Sequence, residues 1–182
     1  VSLRCYSTSL GCPKNRVDTE RLLGSLGVAL VPVESPDEAE LVFINTCAFI
    51  QPATEESVRT IAQAIADIEE LPKRPLLAVA GCLVGRYHAE DLAPELPEVD
   101  LWLDNSDLEA WPAMLARKLG LPEPTVPGRI LSTGPSYAWL KISDGCRHAC
   151  SFCAIPNIRG GHRSHCKDMI VREARALLDQ GV

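Results

Sequence analysis

Over residues 1–119, short apolar runs alternate with helix-spaced apolar positions, the pattern of a parallel α/β sheet. Leu3-Arg4-Cys5-Tyr6-Ser7 reads as the first strand. A turn at Gly11-Cys12-Pro13 leads into a helix with Val17, Leu22, Leu23 and Leu26 on its apolar side, stopped near Gly27. Ser35-Pro36-Asp37-Glu38 supplies an N-cap and a proline at the first helical position, which predicts a short crossover. Leu41-Val42-Phe43-Ile44-Asn45 is continuously apolar, as a strand covered on both faces must be. The next helix, from about Ala53 to Glu70, spaces Val58, Ile61, Ala62, Ile65 and Ile68 along one side. Pro72 and Pro75 bracket a turn before a further buried strand, Leu76-Leu77-Ala78-Val79-Ala80. Val99 to Leu103 predicts a last strand and Ser106 to Leu119 a closing helix.

The pattern then breaks. Gly120 to Gly128 holds three prolines and two glycines in nine residues, which sustains neither a helix nor a central strand, so a linker is placed at 120–136. Beyond it Tyr137-Ala138-Trp139-Leu140-Lys141-Ile142 alternates like a strand. Asp168 to Gln180 repeats Ile170, Ala174, Leu177 and Leu178 on one helical face. One strand, a loop and one helix cannot bury a core by themselves. Residues 1–119 therefore read as a complete N-terminal domain and 137–182 as the start of a second, incomplete one, expected to be loosely held.

Composition adds the setting. Apolar residues make up 46% and charged residues 23% of the 182, a globular profile, and no stretch approaches the ~20 apolar residues of a membrane span. Val1-Ser2-Leu3-Arg4-Cys5 has neither a basic start nor a long apolar run, so no signal peptide and no membrane are expected, and the expected compartment is the cytoplasm. Residues 1–119 carry 10 basic and 19 acidic side chains, and residues 120–182 carry 8 and 5, giving −6 overall. That balance weighs against a surface built to neutralise phosphates, and the sparse aromatics do not form a base-stacking platform.

Eight cysteines change the picture further. Where thiols are kept reduced, clustered cysteines mean metal or redox chemistry more often than disulfides. Cys12, Cys47 and Cys82 each follow a predicted strand, and loops at the carboxyl ends of a parallel sheet converge on one edge. Three soft thiolates there suit an iron–sulfur cluster or zinc, although three buried structural cysteines fit the spacing equally well. Cys146-Arg147-His148-Ala149-Cys150-Ser151-Phe152-Cys153 is more specific. Its C-x3-C-x2-C spacing can hold three irons of a four-iron cluster and leave the fourth open to a small molecule. Zinc, with Cys166, His148, His162 or His165 as fourth ligand, is the competing reading. Arg159 and Arg163 could pair with a carboxylate of cofactor or substrate, but each reads more simply as a solvated arginine. Cys5 reads as core, Cys166 has no assigned role, and Asn15 reads as a turn former. Asn15 and Asn45 both stand close enough in sequence to the cysteines to hydrogen-bond near them.

The triplet, with Phe152 before its last cysteine, resembles the radical S-adenosylmethionine superfamily. Gly11-Cys12-Pro13-Lys14-Asn15, Asp18-Thr19-Glu20, Asn45-Thr46-Cys47-Ala48-Phe49-Ile50, Glu56-Ser57 and Gly81-Cys82-Leu83 resemble the N-terminal domain of its methylthiotransferases. Leu140-Lys141-Ile142-Ser143-Asp144-Gly145-Cys146 and Ile158-Arg159-Gly160-Gly161-His162-Arg163-Ser164 resemble the start of their catalytic barrel. The wording Cys12-Pro13-Lys14-Asn15 is similar to the branch that modifies a ribosomal protein, rather than the branch that modifies tRNA. The resemblance implies a parallel-sheet domain followed by the first βα unit of a barrel. It implies two [4Fe-4S] clusters, a radical-generating one on Cys146, Cys150 and Cys153 with S-adenosylmethionine at its open iron, and an auxiliary one on Cys12, Cys47 and Cys82. It further implies methylthiolation at the β-carbon of an aspartate in small-subunit ribosomal protein twelve, with an electron donor protein as partner. A tRNA adenosine is the alternative substrate, and a non-catalytic cluster-binding module is the alternative role for the fragment alone.

Overall fold

The computed structural model describes residues 2–125, 127–134 and 136–182; Val1, at the start read for a signal peptide, and Val126 and Pro135, in the stretch read as linker, lie outside the described residues. Five strands, Ser2–Ser9 (β1), Ala29–Pro32 (β2), Leu41–Thr46 (β3), Leu76–Gly81 (β4) and Leu101–Leu103 (β5), form one parallel sheet in the order β2-β1-β3-β4-β5. The chain steps outward from β1 to β2, then crosses back to lay β3 on the other side of β1. The order therefore reverses between β1 and β3, the place where open α/β sheets form their crevice.

Every residue of β3 is buried, which accounts for its unbroken apolar run. Leu41 and Phe43 face one core with Leu22 and Leu23 of the helix Pro13–Ser25 (α1) and Leu26 at its C-cap. Val42 and Ile44 face the other, with Ile61, Ala64 and Ile68 of the helix Gln51–Ile68 (α2). The α/β parallel-sheet reading holds. Among the described residues no helix is long and apolar enough to cross a membrane.

Several elements depart from expectation. β2 was not foreseen, because it is a four-residue edge strand with mostly exposed side chains and a terminal proline, which only an edge tolerates. On α2 the buried face is Ser57, Ile61, Ala64 and Ile68, while Val58 is 43% exposed and Ala62 is exposed. The helix is turned by Ser57, whose hydroxyl bonds to the backbone of Cys47. Two short helices, Cys82–Tyr87 (α3) and Ala89–Leu92 (α4), follow β4. The closing helix is Trp111–Leu119 (α5), not Ser106 to Leu119. Pro112 cannot continue a helix from the preceding turn, since its ring would meet the carbonyl four residues back. Residues 105–107 form a 3-10 turn instead, capped where Asp104 Oδ1 accepts from Ser106 N at 2.6 Å.

Residues 137–142, expected as a strand, form no ladder among the described residues. Tyr137, Trp139 and Ile142 are exposed, and the nearest pairing among the described residues joins Ser143–Asp144 (β6) to Arg163–Ser164 (β7) antiparallel. The expected first βα unit of a barrel is therefore not seen. Between β6 and β7 lies the short helix Ile155–Arg159 (α6), and after β7 the helix Lys167–Asp179 (α7), where Leu177 is buried and Leu178 is 66% exposed.

The second segment is nonetheless fastened, by Ile158 of α6, buried in the core beside α3, and by polar contacts to α1. Arg129 Nε and Nη2 donate to Glu20 Oε2 at 2.9 and 2.7 Å, and Ser132 N and Oγ donate to Glu20 Oε1 at 2.9 and 2.6 Å. Arg129 Nη1 also donates to Glu173 Oε1 at 2.8 Å, and Arg21 pairs with the same carboxylate. Gly24 permits the approach, because a Cβ there would stand 2.4 Å from Arg129 N.

Candidate functional site

Cys12, Cys47 and Cys82 stand at the carboxyl ends of β1, β3 and β4, three adjacent strands at the reversal of the sheet. Cys12 is the exposed N-cap residue of α1, and its carbonyl accepts from Asn15 N at 3.1 Å. Cys47 follows β3 and is held by Ser57, which donates to its carbonyl at 2.7 Å and accepts from its N–H at 3.0 Å. Cys82 opens α3 and is 4% exposed. Gly11 brings the first loop against the second: its φ is +83°, and a Cβ would lie 2.6 Å from Cys47 Sγ. Larger residues are barred there by both backbone and space.

Polar side chains order these loops. Asn15 is fully buried, and its Nδ2 donates to Leu10 O and Thr46 O, both at 2.8 Å. Its Oδ1 meets Cys82 Sγ at 3.7 Å and accepts from Arg159 Nη2. It does more than form a turn. Asn45 Nδ2 donates to Asn15 O at 2.9 Å and Thr19 Oγ1 at 3.0 Å, while Asn45 Oδ1 has no partner among the described residues. Asn105 Nδ2 donates to Cys82 Sγ at 3.8 Å. Burial pushes the Cys82 thiol up; Arg159 pulls the other way, and neighbouring Cys47 and Cys12 add to the rise. Cys5, buried inside β1, has its thiol pushed up to about 12 by burial and is a core residue, as expected.

Cys146, Cys150 and Cys153 lie in the loop between β6 and α6. Cys146 N donates to Gly160 O and Cys153 N to Cys150 O, both at 3.1 Å. Cys150 is exposed, Cys146 and Cys153 are half-buried, and Phe152 is 87% exposed. Cys166 is the exposed N-cap residue of α7. Arg163 is exposed, as a solvated arginine should be.

Arg159 is not. Its side chain is 3% exposed and sits between the two cysteine sets. Nη1 donates to Asp144 Oδ1 and Oδ2 at 3.1 Å, and both Nη1 and Nη2 reach Asp18 Oδ2 at 3.2 Å. Lys141 Nζ donates to Asp18 Oδ1 at 2.6 Å and also pairs with Asp144. Lys14 approaches Asp144 at 3.7 Å. Burial alone would raise the Asp144 carboxyl, but Arg159 and Lys141 outweigh it and hold it at about 2. Burial likewise works against the charge of Arg159, and Asp18, Cys82 and Asp144 more than restore it. Asp18, Lys141, Asp144, Asn105 and Ser57 were not read as site residues. A polar face on α1 at Asn15, Asp18 and Thr19, three and four apart, was the available signal.

The donor chemistry fits iron–sulfur ligation. Three soft thiols share one sheet edge, and Cys82 has an amide N–H and a guanidinium beside its sulfur, partners that suit a metal-bound thiolate. Among the described residues no three His, Cys, Asp or Glu side chains stand together around the position of a single metal ion. In a four-iron cluster each thiolate binds a different iron, so its ligands spread wider than those of one ion. An open cleft of about 520 Å³ between α3 and α6, lined by Gly85, His88, Asp104, Arg159 and His162, contains no cysteine.

Residues 4–104 match the family described as "Uncharacterized protein family UPF0004". The chain belongs to that family. The match takes in β2 to β5, most of β1, and Cys12, Cys47 and Cys82. Over 177 residues the chain is 71% identical to a protein of Nitratidesulfovibrio vulgaris (strain DP4) named ribosomal protein uS12 methylthiotransferase RimO, covering 97% of this chain and 41% of that one. Proteins of the same name from Lawsonia intracellularis and Aquifex aeolicus are 57% and 49% identical, over 100% and 96% of this chain and 41% and 38% of theirs. The chain spans about two fifths of the length of these curated relatives. The resemblance read from the cysteine motifs, to the methylthiotransferases and their ribosomal-protein branch, agrees with these names.

Proposed function

We propose that this chain carries both cluster-holding elements of a methylthiotransferase that modifies an aspartate of ribosomal protein uS12. The observation behind this reading is the placement of Cys12, Cys47 and Cys82 on three adjacent strand ends, with the C-x3-C-x2-C loop tied to the same helix, α1. The names of the relatives support the substrate. Cys146, Cys150 and Cys153 would hold one [4Fe-4S] cluster with S-adenosylmethionine at its open iron, and Cys12, Cys47 and Cys82 an auxiliary one. When bound, these supply a 5′-deoxyadenosyl radical and the methylthio group.

The chain's own residues do the positioning. Ser57 fixes the backbone of Cys47, Asn15 ties the Cys12 loop to β3, and Asp144 and Lys141 set the strand that enters Cys146. The protein works in the cytoplasm with an electron donor protein, and the chain by itself is a cluster-binding module without turnover. Residues 120–182, with 8 basic and 5 acidic side chains, favour tRNA as a second reading of the substrate.

One anaerobic reaction tests this. Full-length protein is given ribosomal protein uS12 and tRNA together, and both are analysed by mass spectrometry. The methylthio group is expected on the aspartate, with tRNA adenosine unchanged. A modified adenosine beside unmodified protein would reverse the substrate, and zinc in place of iron would remove the cluster assignment.

A further inference from the structure

The three auxiliary cysteines come from the N-terminal sheet, but a charged group beside them does not. Arg159 closes α6, in the segment of the second cysteine set. Its Nη2 donates to Asn15 Oδ1, the oxygen that Cys82 Sγ also reaches, at 3.7 Å. The Asn15 amide cannot turn over, because its Nδ2 is held by two carbonyls. The guanidinium is thereby fixed next to Cys82. Its other nitrogen grips Asp144, which stands in β6 on the way into Cys146.

We propose that Arg159 is a positioning residue shared by both centres: it completes the auxiliary site by fixing a positive charge beside Cys82, and it anchors the strand that leads into Cys146. This rests on the reading of Cys12, Cys47 and Cys82 as auxiliary-cluster ligands. Hydrogen bonds and positive charge at a ligand sulfur favour the more negative, reduced cluster and raise its potential. Lys141 cannot replace the arginine, because its ammonium is taken by Asp18 and Asp144. A planar fork spans two carboxylates and an amide at once, whereas an ammonium is a point charge.

The test uses full-length protein, loaded anaerobically, in two arms. In the first, Cys146, Cys150 and Cys153 are changed to Ala so that only the auxiliary cluster reports. Its midpoint potential is then followed by electron paramagnetic resonance in Arg159, Arg159→Lys and Arg159→Met forms. Arg159→Met is expected to shift the oxidised-to-reduced ratio at least tenfold toward oxidised, about 59 mV for one electron, with Arg159→Lys keeping most of the original value. Should Arg159→Met fail to load iron, Arg159→Gln takes its place and is read the same way. In the second arm the cysteines are intact, and amide exchange over residues 143–146 is expected to quicken at least tenfold in Arg159→Met. An unshifted potential, or equal exchange, overturns the shared role. If the triple-alanine protein binds no iron even with Arg159 present, the auxiliary-ligand reading has failed instead, and the exchange arm alone judges Arg159.

Discussion

Asp18 accepts a hydrogen bond from Lys141 at 2.6 Å, with both side chains 3% exposed and 123 positions apart in the chain. The pair belongs to a buried group of two carboxylates and two cations in which Arg159 and Asp144 complete the balance. Removing one partner of such a group leaves an uncompensated buried charge, at a cost of about 3–5 kcal/mol. Asp18→Asn is therefore expected to lower the urea midpoint and to free the amides of residues 141–146 before those of β3. Asp18→Leu combined with Lys141→Met is expected to recover part of the loss. A double variant as unstable as the sum of its single changes would show that the charges do not act as a group.

Ser57 gives a more local prediction. Its hydroxyl serves both the N–H and the carbonyl of Cys47, all buried. Ser57→Ala strands those two groups, for a loss of about 1–3 kcal/mol. We expect a lower thermal midpoint and, in full-length loaded protein, reduced iron at the auxiliary site with the second cluster retained. Metal analysis of the Ser57→Ala protein in the triple-alanine background separates the two.

At Gly24 two effects oppose each other. Alanine in a helix gains about 1 kcal/mol over glycine. Here, however, the new Cβ would stand 2.4 Å from the backbone of Arg129 and would push residues 128–132 off α1. Overpacking costs about 1–3 kcal/mol, and the buried Arg129–Glu20 pair would be strained with it. Gly24→Ala should destabilise the protein, and faster amide exchange at Ile130 and Ser132 is the sign that the linker has lifted.

The Cys5 thiol offers a pH test. Burial raises it to about 12, whereas an unfolded cysteine ionises near about 8.5. Above that lower value only the unfolded chain loses the proton, so stability falls as pH rises, by up to about 1.4 kcal/mol per pH unit, until the folded thiol ionises in turn. Cys5→Ala should flatten this slope when urea midpoints are compared anaerobically between about pH 9 and about pH 10.5. At neutral pH, iodoacetamide should modify exposed Cys166 and leave Cys5 untouched.

The central sheet was legible because β3 and β4 are buried on both faces and must be apolar throughout. β2 was not, since an exposed edge strand leaves no such trace. The places of Cys12, Cys47 and Cys82 after strands could be read from the pattern, and β1, β3 and β4 do end ahead of them. Arg159 could not, because its partner Asp18 lies 141 residues earlier and nothing beside Arg159 in the chain announces burial. The alternation at residues 137–142 misled for a related reason: it signals a face, but a strand also needs a neighbour to bond with.

The long reach of α1 bears on the order of events during synthesis. Asp18, Glu20 and Arg21 leave the ribosome 123, 109 and 152 residues ahead of Lys141, Arg129 and Glu173. At ordinary rates of chain elongation that is a wait on the order of ten seconds, ample for the sheet to form first. Through that interval the two carboxylates lie hydrated in an open groove. Docking of the later segment then strips their water, so an acidic groove meets its lysine and arginines only after the sheet has formed, and Ile158 joins the core at the same late stage.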